Sequence, residues 1–205
     1  MLRDGAGETE PASLNRLLAT RAEALAIAAL APASQRLVAL DFDANRDVII
    51  NGGLNRFRYL HFATHAYVDH QYPQLSGLAL TQVDQQGRAQ AGYLRLNDIY
   101  QLGLNADLAV LSACRTGLGK PLLGEGLIGL TRGFMYAGVP RVMVSLWDVP
   151  DRETAQLMKL FYRNLLTRRL TPGAALRNAQ MQMWQQAESS APFFWAAFIL
   201  QGDPE

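Results

Sequence analysis

The sequence predicts an α/β domain with a mainly parallel β-sheet and helices on both faces. Three observations support this fold class. The second half of the chain alternates apolar runs of strand length with segments of helical period, which is typical of parallel sheets. The runs Ala106–Ser112 and Arg141–Leu146 are apolar almost throughout, so each is predicted to be a strand buried on both faces. The chain has 205 residues, enough for one domain of this kind.

The elements predicted before the central strand rest on composition and on stop signals. Pro32 ends an Ala/Leu/Glu-rich helix, Gly52 and Gly53 end a second one, and the polar turn Asp84–Gly87 separates two weak strands. In chain order the predicted elements are a flexible leader over 1–13, a helix over Leu14–Leu30, a strand over Arg36–Leu40, a helix over Asp43–Ile50, a buried strand over Arg58–His65, strands over Leu75–Leu80 and Ala91–Leu96, and a helical turn over Asn97–Leu102.

The later elements alternate more regularly. A helix over Gly124–Ala137 is ended by Gly138, and a helical period follows over Asp151–Arg168. Thr171 is the expected N-cap of a last helix that runs to about Gln186, because proline follows it at the first helical position. A strand over Trp195–Leu200 closes the series.

Charge and composition exclude several classes of protein. The formal net charge is +1 without long basic runs, which argues against a nucleic-acid partner. No apolar stretch reaches the roughly 18 residues of a membrane span, and the polar N-terminus has no signal-peptide core. One cysteine forms no internal disulfide and excludes cysteine-rich zinc modules. A reducing cytoplasm is therefore the expected setting.

Two residues lie where chemistry is expected in a parallel sheet, just beyond the carboxyl ends of strands. His65 ends one predicted strand, and Cys114 follows another and leads into a glycine-rich loop. Cys114 is a candidate nucleophile because Arg115 would favour its thiolate, and His65 is a candidate general base. The alternative for a lone cysteine is a buried side chain that only fills space.

Other constellations are less consistent with the pattern. His61 and His65 are four residues apart, but on a strand this spacing does not suit zinc, so His61 is predicted to be a satisfied core histidine. The stretch Cys114–Pro121 fails two of the four key positions of a phosphate-binding loop, and Ser112 lacks the serine-hydrolase elbow. Ser112 is predicted to lie inside its strand. Glu125 is predicted to have a structural role, because a carboxylate at the start of a helix interacts favourably with the helix dipole.

Several sequence blocks together carry a family resemblance. They are Tyr59–His65, Leu75–Leu80, Leu111–Gly117, Gly124–Leu127, Ala137–Pro140, Ser145–Val149, and Phe194–Phe198 with Gly202-Asp203. In this order they resemble the CHAT family, bacterial caspase-like domains related to separases and gingipains. Residues 14–205 are therefore expected to form a single CHAT peptidase domain cut from a longer protein. In relatives the remainder often carries helical repeats.

The resemblance implies a caspase-like sheet and a cysteine endopeptidase that needs no metal or organic cofactor. His65 would be the base and Cys114 the nucleophile, and the backbone amides of Ala66 and Cys114 would form the oxyanion hole. The chain departs from the family pattern at Ala66, where glycine is usual, so a positive φ there would strain the peptide. Arg115 also replaces a common acidic or amide residue, which would alter access to the cleft.

The resemblance to separase extends to a substrate pocket after the strand Arg141–Leu146. Asp148 or Asp151 would bind an arginine or lysine side chain through charge-assisted hydrogen bonds, and Trp147 would line the pocket wall. The alternative for Asp151 is that it caps the following helix. The expected partners are a protein substrate and a regulatory domain or protein. The alternative function is a catalytically silent caspase-like domain that acts as a protein-interaction module.

Overall fold

Four strands form the central sheet of the computed structural model, which describes residues 16–67, 69, 72–112 and 125–203. Within these residues the strands are β1 (Tyr59–Phe62), β2 (Ala66–Tyr67), β3 (Gly77–Ala79), β4 (Tyr93–Arg95), β5 (Leu108–Leu111), β6 (Arg141–Ser145) and β7 (Phe198–Gly202). The helices are α1 (Thr20–Ala28), α2 (Arg46–Asn51), α3 (Leu96–Tyr100), α4 (Glu125–Tyr136), α5 (Asp151–Tyr162) and α6 (Pro172–Trp184).

The central sheet has the strand order β1-β5-β6-β7. β1 pairs with β5 and β5 with β6 in parallel, whereas β7 is antiparallel to β6. The prediction of a mainly parallel sheet is therefore confirmed. Because parallel strands end at the same edge, the segments that follow β1, β5 and β6 meet there.

Side chains of β5 and β6 alternate between two hydrophobic clusters, which is why these runs are apolar throughout. Ala109 and Leu111 face one cluster, and Leu108 and Val110 face the other. The first cluster receives side chains of α3 and α4, among them Ile99, Leu130 and Phe134. The second receives side chains of α5 and α6, among them Leu157, Phe161 and Ala179. Helices thus cover both faces of the sheet, as predicted.

A second sheet of three antiparallel strands, in the order β2-β3-β4, follows β1 directly. β2 begins at Ala66, and its two residues pair with Leu78 and Gly77. The predicted strands over Leu75–Leu80 and Ala91–Leu96 correspond to β3 and β4. This small sheet holds the turn that leaves the end of β1.

Two predictions about the early region are wrong. Arg36–Leu40 is extended but forms no strand within the described residues, because Leu37 and Leu40 line a cavity beside β1 instead of pairing with it. The first helix begins at Thr20 rather than at Leu14 as far as the described residues show, and 16–19 run as an irregular segment before it. The leader expected over 1–13 lies outside the described residues.

Among the described residues, every helix is too short or too polar to span a lipid bilayer.

The end of α4 depends on Gly138, which has a φ of +111°. The Gly138 N–H donates to Met135 O (3.1 Å) and the Val139 N–H donates to Phe134 O (3.0 Å). These two hydrogen bonds form a Schellman motif. A Cβ on Gly138 would lie 2.2 Å from the carbonyl oxygen of Leu104. Only glycine therefore fits this turn between α4 and β6.

We expect Gly138→Ala to lower the free energy of unfolding by about 2 kcal/mol or more, because it combines a positive φ with a backbone clash. Urea unfolding followed by circular dichroism measures this loss. The matched control is Gly129→Ala within α4, where a Cβ meets nothing within 4 Å. It should raise stability by up to about 1 kcal/mol. Equal losses of unfolding free energy in Gly138→Ala and Gly129→Ala would contradict the requirement for glycine at position 138.

Candidate active site

The edge of the sheet beyond β1, β5 and β6 gathers the candidate site residues. His65 lies three residues beyond Phe62, Ser112 follows β5, and Trp147 and Asp148 follow β6. Phe62 and Leu111 are register partners at the ends of their strands. Cys114 lies three residues beyond Leu111 and is outside the described residues, as is Arg115.

The turn that carries His65 is fixed to the small sheet by its backbone. Ala79 N donates to His65 O at 2.8 Å, and the Thr64 hydroxyl donates to Ala79 O. The His65 side chain is buried, with 7% of the residue exposed. It also lines the larger of two cavities at this edge. The imidazole is therefore sheltered from bulk water but borders a space that a ligand can enter.

The backbone of Ala66 carries no left-handed strain. The non-glycine residues with positive φ in the described part of the chain are Asp41 and Arg169. Ala66 opposes Leu78 between the bonds made by its neighbours, so it forms a non-hydrogen-bonded pair and its N–H points away from β3. The strain considered from the sequence is therefore absent, and glycine is not required here.

A cavity of about 600 Å³ opens beyond β6, and we call it the acidic pocket. Asp148 and Asp151 line it together with Trp147 and Ser112. The other described residues of its lining are Arg16, Leu17, Leu18, Ala19, Ser145, Val149, Pro150, Arg152, Thr154 and Phe193. Three of the sequence-predicted pocket residues are thus brought together at one cavity.

Two serines that the sequence analysis did not assign to the pocket lie in its wall. Ser112 is 2% exposed, and its Oγ has no hydrogen-bond partner within the described residues. Ser145 Oγ donates to Trp147 O at 2.6 Å, which fixes the backbone just past β6. Both serines come at the carboxyl ends of apolar strand runs. A hydroxyl that ends an apolar run was the signal available in the sequence.

Trp147 lines the acidic pocket, and its ring is tied to the segment before β7. Its Nε1–H donates to the carbonyl oxygen of Phe193 at 2.9 Å. The residue nevertheless stays 37% exposed. The indole therefore keeps a face toward solvent, as a pocket wall requires.

Asp151 makes its described hydrogen bond to a distant helix rather than to its own. Pro150 is the N-cap of α5 and Asp151 is its first residue. The Asp151 carboxylate accepts the N–H of Ala19, the N-cap residue of α1. It thereby satisfies one of the donors that the start of α1 leaves open.

A second cavity of about 1230 Å³ lies beside β1, and we call it the His65 cavity. Its lining includes His65, Phe62 and Leu80. Among the described residues, Arg16, Leu17 and Leu18 line both this cavity and the acidic pocket. The irregular segment before α1 therefore borders both cavities.

His61, four residues before His65, belongs to a buried polar network instead of the cleft chemistry. Its Nε2 lies 2.7 Å from Glu23 Oε1, and its Nδ1 lies 3.2 Å from the Tyr162 hydroxyl. Both ring nitrogens are thus in hydrogen-bonding range, which confirms the prediction of a satisfied core histidine. Burial raises the pKa of Tyr162 well above its usual value, and the nearby Glu23 carboxylate raises it further.

Comparison with known proteins places this geometry in a family. The sequence matches the CHAT domain over residues 3–203. The chain belongs to the CHAT domain family. The match covers the candidate dyad, both cavities and the whole central sheet.

Curated relatives share part of this CHAT domain. It is 35% identical over 105 residues to Tetratricopeptide repeat protein 28 of Mus musculus. It is 36% identical over 105 residues to Tetratricopeptide repeat protein 28 of Homo sapiens. Each alignment covers 51% of this chain and only 4% of the relative.

The stability of the protein at alkaline pH tests the raised pKa of the buried Tyr162. Because the folded-state pKa of Tyr162 is raised, the unfolded state releases this proton first, and stability is lost as pH rises above about 10. Tyr162→Phe should be less stable than wild type at pH 8 by about 1 kcal/mol, owing to the lost hydrogen bond. The difference in unfolding free energy between the wild type and Tyr162→Phe should become smaller between pH 10 and 11.

Urea unfolding at each pH measures this convergence. The control is Tyr136→Phe, since Tyr136 is 77% exposed. Its stability should parallel that of the wild type throughout. If the unfolding free energies of Tyr162→Phe and the wild type changed in parallel with pH, burial would not raise the pKa of Tyr162.

Proposed function

We propose that this CHAT domain is a caspase-like cysteine endopeptidase. The observation that carries the proposal is the register of β1 with β5. Phe62 and Leu111 are paired, and His65 and Cys114 each follow three residues later. Adjacent strands lie about 4.8 Å apart, so the two strands end side by side. The mainly parallel sheet with two covered faces is consistent with a caspase-like fold.

The proposed reaction begins with proton transfer from the Cys114 thiol to the His65 imidazole. The thiolate attacks the carbonyl carbon of the scissile peptide and forms a tetrahedral oxyanion. The N–H groups of Ala66 and Cys114 donate to this oxygen. His65 then protonates the leaving amine, and a thioester remains on Cys114. Water, deprotonated by His65, attacks the thioester and releases the carboxylic acid and the thiol.

The backbone geometry of Ala66 supports the role of its N–H as a donor to the oxyanion. The N–H is directed away from β3, and the peptide carries no left-handed strain. A donor that needs no rearrangement stabilises developing charge without a reorganisation cost. The unstrained Ala66 peptide thus supports the enzyme over the silent domain.

The proposed substrate has an arginine or lysine before the scissile bond. Asp148 and Asp151 supply two carboxylates to the acidic pocket, and Ser112 adds a buried hydroxyl. A guanidinium carries five donors and no acceptor, so this set of oxygens complements it. Trp147 provides a flat side for the aliphatic stem of the substrate side chain.

We also propose that the domain works in the cytoplasm within a longer protein. The single cysteine is consistent with a reducing compartment. The relatives are named for tetratricopeptide repeats. By analogy, helical repeats outside this chain would bind a partner protein and regulate cleavage.

A covalent probe tests the dyad. A peptide acyloxymethyl ketone with arginine at the reacting end should add once to the wild type, read by intact mass. Cys114→Ala and His65→Ala should give no adduct, because one lacks the nucleophile and the other its base. His70→Ala serves as the control histidine and should label like the wild type. No adduct on any form, with Cys114 still open to iodoacetamide, would favour the protein-interaction module.

Substrate preference tests the acidic pocket. Peptides with arginine before the cleavage site should exceed matched alanine peptides by roughly 10- to 100-fold in kcat/KM, because hydrogen bonds to a charged group are worth about 1.5–3 kcal/mol. Asp148→Asn should reduce this ratio toward one. The matched control is Asp107→Asn, which changes an exposed carboxylate paired with Arg58 and outside the lining of the pocket. Equal cleavage of both peptides by the wild type would refute the pocket.

A further inference from the structure

The segment Arg16–Ala19, which we call the strap, borders both cavities of the candidate active site. Its first three residues line the acidic pocket and the His65 cavity alike. An extended peptide with its basic side chain in the acidic pocket must place its scissile bond toward His65. Such a peptide and the strap would compete for the same space.

The strap also uses a group that the proposed substrate needs. The Asp151 carboxylate accepts the N–H of Ala19. A guanidinium bound through two parallel hydrogen bonds uses both oxygens of a carboxylate, so it would have to share Asp151 Oδ2 with the N–H of Ala19. The backbone of the strap therefore satisfies part of the acidic pocket while the substrate is absent.

The contacts that hold the strap are mostly polar and exposed. Arg16 in the strap and Arg21, the second residue of α1, both pair with Asp41. The guanidinium-bearing side chains of Arg16 and Arg21 are 74% and 54% exposed, so these pairs are individually weak. Leu18 is 82% exposed and packs into neither core cluster. Lifting the strap would therefore uncover little apolar surface.

The helix behind the strap has a different attachment. Glu23 is the one buried residue of α1, at 2% exposed, and it contacts His61 on β1. Breaking a buried pair of this kind is costly. The strap and α1 are therefore held by different contacts, and the strap can detach at Ala19 while α1 stays docked on β1.

We propose that the strap is an autoinhibitory element that competes with the substrate for the cleft, so that the wild type is labelled and cleaves more slowly than a variant in which the strap is displaced. This inference rests on the proposed function, because it assumes that the acidic pocket and His65 act on one peptide. Displacement frees Asp151 and removes a segment that borders both cavities. A partner that binds the strap or the chain before it would then activate cleavage.

The test uses two variants that release the strap without altering the proposed catalytic groups. Asp41→Asn removes the charge that holds both arginines, and asparagine tolerates the positive φ of 51° at this position. Ala19→Pro removes the N–H donor at a residue whose φ of −86° is close to that of proline. The matched control is Asp107→Asn, which breaks the exposed Arg58–Asp107 pair away from the cleft.

Agmatine, which carries an arginine-like guanidinium, serves as the binding probe in calorimetric titration. Asp41→Asn should tighten agmatine binding about 3-fold, given the modest strength of exposed ion pairs. Ala19→Pro should tighten it about 10-fold, because a charge-assisted hydrogen bond no longer competes. Asp107→Asn should bind as the wild type does. Hydrogen exchange over 16–20 should quicken in the two release variants alone.

The outcomes separate this inference from the proposed function. Tighter agmatine binding with no ketone adduct on any form supports the strap and overturns the peptidase. Faster exchange without tighter binding makes the strap a structural segment and overturns autoinhibition. Adduct formation at equal rates in wild type and release variants also overturns it. A mass showing cleavage between Arg16 and Leu17 in the wild type would make the strap a substrate instead.

Discussion

The parallel pairing of β5 with β1 on one side and β6 on the other is the constraint on which the rest of this molecule depends. Every residue of β5 is buried, with its side chains alternating between the two hydrophobic clusters. A shift of one residue would move Ala109 and Leu111 into the cluster built for Leu108 and Val110. Because the register is so strongly determined, the chain leaves β1, β5 and β6 at one edge, and the candidate chemistry gathers there.

The attachment of α1 shows a different kind of specificity. Most side chains of this helix are exposed or half-buried, and its one buried residue is Glu23. The carboxylate reaches His61, and His61 reaches Tyr162 on α5, so the network joins a helix, a strand and a second helix. A polar network of this kind gives little net stability compared with apolar packing, but it tolerates few alternative positions. It sets where α1 begins, and with it where the strap lies against the cleft.

The cleft combines a rigid wall with a weakly held one. On the rigid side, the His65 turn is bonded to β3 and the Trp147 segment is bonded through Ser145 and Phe193. On the other side, the strap is held by Asp151 and by exposed pairs to Asp41. If the domain is a peptidase, this asymmetry is suited to regulation, since access can change while the reacting groups keep their geometry. The same contacts would let a silent domain exchange its own strap for a partner.

The sequence alone determined the mainly parallel sheet and the strand ends that carry the candidate residues. Apolar runs without a polar face required strands buried on both sides, and Gly138 required a helix end, because these are local consequences of burial and backbone sterics. Position at strand ends also singled out His65 and Cys114. Tertiary structure decided what depends on residues far apart in the chain. Asp151 caps α1 across more than a hundred residues, Leu37 and Leu40 line a cavity instead of a strand, and Ser112 and Ser145 meet in one pocket. Such contacts follow from how the layers pack. A local pattern such as a hydroxyl at the end of an apolar run can mark a candidate residue, but it does not say which distant residues lie beside it.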